Sequence, residues 1–117
     1  MQEYIKITDD IIEIRSNDIV IKEVDDVFEL LFSNDFSTII LKKENIIDAF
    51  YDLSTGIAGE ILQKFSNYGK RMAIIGDFEN IKSKSLKDFV YESNRGRKII
   101  FVNTLEEALK IFQVQPH

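Results

Sequence analysis

The chain has 117 residues, 44% of them hydrophobic and 30% charged, with one Pro. That is enough for one domain with one core, and it excludes a disordered or linker-rich chain. A net charge of -5 with a sequence pI near 4.9 argues against nucleic acid as a partner, because neutralising phosphates needs clustered Lys and Arg. The closest approach to such a cluster is Lys82, Lys84 and Lys87 at a helix start, where lysines are ordinarily solvated.

With no Cys, disulfides, thiolate chemistry and Cys-bound zinc are excluded. The opening Met-Gln-Glu-Tyr lacks a basic segment followed by an apolar run, so no signal peptide is expected. No apolar run approaches the roughly 20 residues that span a bilayer. The expectation is a cytoplasmic protein that binds no membrane.

In chain order, residues 4–7 and 11–14 are β-rich runs joined by Thr8-Asp9-Asp10, a turn composition, and predict an N-terminal β-hairpin. Alternation over 18–22 predicts another short strand. From Asp25 the period becomes helical, with Val27, Leu30 and Leu31 recurring, Phe28 and Phe32 widening the apolar face, and Asp25 or Asp26 as N-cap. Residues 37–42, 72–75 and 99–102 are apolar without alternation. Such strands belong inside a parallel sheet covered by helices on both sides.

Helices separate these strands. The first covers 56–68, with Ile57, Ile61 and Phe65 on one stripe beside Ala58 and Leu62, and Gly69 as its stop. The second covers 83–95, with Leu86, Phe89 and Val90 inward and Gly96 as its stop. The third starts at Thr104, which forms a capping box with Glu107. Residues 113–117 are expected to fray. The sum is a single small α/β domain over 1–117, with a mixed, mainly parallel sheet flanked by helices and right-handed crossovers.

Polar residues concentrate between Tyr51 and Asp77. Ser54-Thr55-Gly56 opens a helix, where unpaired N–H groups and the helix dipole favour an anion or a phosphorylated hydroxyl. The plain alternative is an ordinary N-cap contributing about 1 kcal/mol. Gly59 lies inside the helix at a cost of about 1 kcal/mol against Ala, and close packing would explain it. Gly56 and Gly59 together are too few for a dinucleotide fingerprint. Glu60, Gln63, Lys64 and Asn67 fall on the polar side of that helix. A polar face is ordinarily solvated, but amides suit a contact surface better than charges do.

Asp77 follows Gly76 at a strand end, the part of parallel sheets where ligands gather. It would hold a ligand there, or serve as a turn or cap residue. In the run 91–96, Glu92 and Arg95 are spaced for an ion pair. With Asn94 they would grip a ligand or form a Gly-capped helix end. Catalysis is poorly equipped. His117 is the last residue and the only His, so Ser-His-Asp chemistry is excluded. No metal site and no cofactor are expected.

The block Leu53-Ser-Thr-Gly-Ile-Ala-Gly-Glu-Ile-Leu-Gln-Lys-Phe-Ser-Asn-Tyr, then Ile75-Gly-Asp-Phe, then Asp88-Phe-Val-Tyr-Glu-Ser-Asn-Arg-Gly-Arg, resembles an uncharacterised bacterial family, a domain of unknown function (DUF4180). That likeness covers nearly the whole chain and implies no activity. A looser resemblance is to STAS domains, the fold of bacterial anti-sigma-factor antagonists. Asp52-Leu53-Ser54-Thr55-Gly56-Ile57 stands at their Asp-Ser-Ser/Thr-Gly-Leu loop, and Thr104-Leu-Glu-Glu-Ala-Leu109 at their closing helix. Here Leu53 separates Asp52 from the hydroxyl pair. The resemblance implies a non-catalytic regulatory module that binds another protein, kinase-like or sigma-related, with Ser54 or Thr55 as a phosphorylation switch. The partner surface would be Gly56, Glu60, Gln63, Lys64 and Asn67. The rivals are ligand binding or an enzyme using Asp77, Glu92, Asn94 and Arg95, and a structural homodimer.

Overall fold

The computed structural model describes residues 2–32 and 35–113, so the expected frayed tail and His117 lie outside the described residues, Gln113 apart. Five strands form one sheet: β1 (Glu3–Lys6), β2 (Ile11–Arg15), β3 (Thr38–Lys42), β4 (Arg71–Ile75) and β5 (Ile99–Val102). They lie in chain order. β1 and β2 form the expected antiparallel hairpin, and β2 through β5 are parallel. The helices are α1 (Val24–Phe32), α2 (Ile57–Asn67), α3 (Lys84–Gly96) and α4 (Leu105–Gln113).

Crossovers of one hand between sequential neighbours put successive helices on one face. Accordingly Val27, Leu30 and Leu31 of α1, Ala58, Ile61 and Phe65 of α2, and Phe89 and Val90 of α3 pack with Ile39, Leu41, Met72, Ile74, Ile99 and Phe101. The alternate strand residues Ile40, Ala73, Ile100 and Val102 meet Ala108 and Phe112 of α4. Both faces are covered, as the apolar strands demand, but by three helices against one.

Four local expectations change. Residues 18–22 form no strand. Ile21 makes one isolated parallel bridge to Ile46, and the segment is held mainly by Asn45. The Asn45 carbonyl accepts the N–H groups of Val20 and Ile21, and its amide donates to the Ser16 and Asp18 carbonyls. In α1 neither Asp is the N-cap. The helix starts at Val24, and Asp26 in its first turn reaches back to accept the N–H groups of Lys22 and Glu23. Phe32 does not widen the buried face, being 67% exposed. Gly96 is the last helical residue of α3, and Arg97 takes the left-handed cap position at φ 60°.

At α4 the capping box forms in a shifted version. Thr104 Oγ1 accepts the Glu107 N–H, while Glu107 reaches back to the Asn103 N–H. Gly69, at φ 64°, stops α2 as its position suggests.

Candidate functional site

The parallel strands point their carboxyl ends at the loop between β3 and α2. This loop winds through three 3-10 turns, Lys43–Asn45, Asp48–Tyr51 and Leu53–Thr55. Asn45 is buried and accepts the Lys42 N–H at 3.0 Å, tying the loop to β3 as well as to residues 16–21. Tyr51 donates its hydroxyl to the Lys43 carbonyl at 2.9 Å. Burial pushes the Tyr51 phenol well above its ordinary range, and the carboxylates of Glu44 and Asp48 add to the shift. Lys43 Nζ lies 5.8 Å from the Tyr51 ring and 5.3 Å from the Phe78 ring, so the ammonium rests over both aromatic rings. Beside it, Gly76 is required by close approach: a Cβ there would stand 2.8 Å from Lys43 Cβ.

Ser54 and Thr55 are held differently. The Ser54 hydroxyl donates to Asp52 Oδ1 at 2.6 Å, and the Ser54 N–H donates to the same oxygen at 3.1 Å. These two bonds, the hydroxyl's the stronger, pull the Asp52 carboxyl below its ordinary range. Thr55 Oγ1 donates towards the carbonyls of Ala49 and Asp52, at 2.7 and 2.9 Å, and accepts the Ile57 N–H at 3.3 Å. Thr55 is thus a structural staple, whereas Ser54 projects its hydroxyl at the surface with one carboxylate neighbour. Gly56 at φ 79° is the N-cap of α2. A left-handed residue there favours Gly.

From Gly56 onward one face of α2 looks outward. Glu60, Gln63, Asn67 and Tyr68 are exposed and Lys64 is half-buried. Their spacing places them on one stripe. This stripe continues into an aromatic ledge shared with α1. Phe28 and Phe32 stack at 5.8 Å between centroids, and Tyr68 meets them edge-on at 6.1 and 5.4 Å. Lys64 Nζ lies 4.5 Å from the Phe28 ring, joining the stripe to the ledge. Phe32 is 67% and Tyr68 46% exposed. The sequence does not show the ledge, because Phe28 and Phe32 read as a widening of the apolar face. Their position beside the Val27–Leu30–Leu31 stripe, rather than on it, was the available signal. Gly59 has open space where a Cβ would stand, so packing does not explain it.

The residues 77 and 92–95 are not brought together. Asp77 follows the carboxyl end of β4, where its side chain accepts the Glu79 N–H at 3.0 Å as a turn residue. Glu92, Asn94 and Arg95 lie in the last turns of α3, which ends where β5 begins, towards the other end of the sheet. Glu92 and Arg95 pair at 3.7 Å on the surface, and Arg95 also lies 5.7 Å from the Tyr91 ring. Asn94 is committed to structure. Its amide accepts the Phe101 N–H at 2.7 Å and donates to the Phe101 carbonyl at 3.3 Å. Neighbouring Ser93 donates to the Ile99 carbonyl. Among the described residues, no group of His, Cys, Asp and Glu could hold a metal ion, and no helix is long and apolar enough to cross a membrane.

Fold and surface together define a small α/β domain with a polar helix stripe, an aromatic ledge and a hydroxyl-bearing loop at the start of that helix. The chain belongs to the family described as a domain of unknown function (DUF4180), whose model matches residues 6–111. No curated protein and no solved structure matches it.

Proposed function

We propose that this protein is a non-catalytic, STAS-like regulatory module of the bacterial cytoplasm that binds another protein through the outward stripe of α2 and the adjoining aromatic ledge. The observation that carries this reading is the exposure of Phe32 and Tyr68 in mutual contact beside Gln63, Lys64 and Asn67. Aromatic side chains are large and stiff, and a rim of amides around them is the make-up of contact surfaces. Covering one such ring is worth roughly 1.5–3 kcal/mol.

Ser54 is the switch in this reading. Its exposed hydroxyl stands in the loop just before α2. A phosphoryl group there would break the bond to Asp52 and set two anions side by side, altering both the loop and the charge that a partner meets. Thr55 is the poorer candidate, because its hydroxyl already bridges two carbonyls.

The test is quantitative capture of partners from cells that naturally make the protein, comparing wild type with Phe32→Ser/Tyr68→Ser and with Glu106→Ala on α4. A stoichiometric partner lost only with the ledge double variant supports the proposal. An identical set of captured proteins from all three baits contradicts it. A two-fold contact of the chain with itself through the same ledge would replace the partner by a second copy.

A further inference from the structure

The other end of the sheet carries a second polar feature. There β3, β4 and β5 begin while α2 and α3 end. A groove of about 440 Å³ is lined by Ser37, Gly69, Arg71, Gly96, Arg97 and Lys98. Three of these are cations and none is an acid, in a chain whose net charge is -5. Among the described residues Arg71, Arg97 and Lys98 form no ion pair, so their charges are open to a ligand.

Cations near helix C-termini ordinarily serve the terminal carbonyls. Here backbone groups already do so. The N–H groups of Tyr68, Gly69 and Lys70 donate to the carbonyls of Lys64, Ser66 and Phe65, and the Arg97 N–H donates to Ser93. The Lys98 carbonyl accepts the Met72 N–H. Arg71 is held in place by the Phe112 ring, 4.7 Å from its guanidinium.

Arg97 adds a second, independent observation. Among the described residues it is the one non-Gly residue at positive φ. That conformation is unfavourable for a residue with a Cβ. The preceding Gly96 would adopt it freely, yet it sits inside the helix with open space around it. Backbone strain of this kind is kept where a side chain is wanted in one place.

We propose that this groove binds the phosphate group of a small phosphorylated molecule. Arg71 and Arg97 offer planar donor forks that match phosphate oxygens, and Lys98 supplies a third positive charge. A groove of this size suits a small ligand rather than a nucleic acid backbone, which the overall negative charge would repel. The site is separate from the α2 stripe and stands independently of the proposed partner binding.

The test is amide NMR of the full chain titrated with inorganic pyrophosphate, glucose 6-phosphate and citrate at matched ionic strength, repeated on Arg97→Gly and Arg71→Gln. Saturable shifts from both phosphates confined to Ser37, Gly69, Arg71 and 96–98 are expected. Each variant should weaken binding about tenfold. Arg97→Gly should at the same time raise the melting temperature, so lost binding cannot be lost folding. Shifts scattered over lysine-bearing surfaces elsewhere, citrate binding as tightly as the phosphates, or an Arg97→Gly affinity equal to wild type would overturn the proposal.

Discussion

The Asn94 side chain closes the outer edge of the sheet by pairing with both backbone groups of Phe101, acting as a one-residue substitute for a sixth strand. Edge strands left open invite pairing with other chains. Asn94→Ala should lower stability by about 1–2 kcal/mol, since it leaves two backbone groups short of partners. Urea denaturation would measure the loss, and the Phe101 amide should exchange with solvent faster than its neighbours in β4. Unchanged stability and exchange would show that water replaces the amide without penalty.

Two glycines should respond to alanine in opposite directions. Gly59 faces open space within α2, so Gly59→Ala should add about 0.5–1 kcal/mol by helix propensity alone. Gly76→Ala would drive a methyl against Lys43 Cβ at 2.8 Å and should cost about 1–3 kcal/mol. Thermal melts of both variants decide the matter. A destabilising Gly59→Ala would mean that the first turns of α2 need the freedom of Gly.

Tyr51 gives the fold an alkaline limit. Its phenol is raised above the ordinary 10.0 by burial, then by Glu44 and Asp48. A group whose folded pKa is raised contributes stability that is fully present below its unfolded pKa and lost as pH climbs above it. The unfolded chain then releases a proton that the folded chain retains. Stability should therefore begin to fall near pH 10, by up to about 1.4 kcal/mol per pH unit from this one group. Tyr51→Phe should flatten that fall while costing about 1 kcal/mol at neutral pH through the lost bond to the Lys43 carbonyl. An equally steep fall in the variant would assign the effect to other groups.

Ser54→Asp and Thr55→Asp should separate switch from staple. Ser54→Asp places a second acid beside Asp52 on the surface. It should fold normally and weaken partner capture. Thr55→Asp removes the bonds to the Ala49 and Asp52 carbonyls and should cost about 1–2 kcal/mol. Partner capture unaltered by Ser54→Asp in a folded protein would remove the reason to call this loop a switch.

Much of this fold was legible in the sequence. The runs that became β3, β4 and β5 are apolar on both faces, and only a sheet covered on both sides buries such runs. That a helix follows Ser-Thr-Gly was legible, as was its outward stripe from the spacing of Glu60, Gln63, Lys64 and Asn67. Its cap was not: Gly56, rather than Ser54 or Thr55, is the N-cap, and the two hydroxyl residues sit in a separate 3-10 turn. What escaped depends on contacts between distant parts of the chain. The segment at 18–22 looks like a strand by alternation, but its backbone is satisfied by Asn45 from the loop after β3. Asn94 looks like a ligand residue until β5 is laid beside α3. The ledge needs α1 and the end of α2 side by side, a juxtaposition no local pattern encodes. The Gly96 stop fell one residue early, because the sequence marks the residue able to turn left-handed and the structure spends that turn on Arg97.

The most direct test of the central claim is site-specific photo-crosslinking in the native cell, with a photoreactive residue placed at Gln63 and, as control, at Lys110 on α4. The account predicts one dominant crosslinked protein from position 63, absent from position 110 and lost in the Phe32→Ser/Tyr68→Ser background. No specific product from position 63, or the same products from both positions, would contradict it.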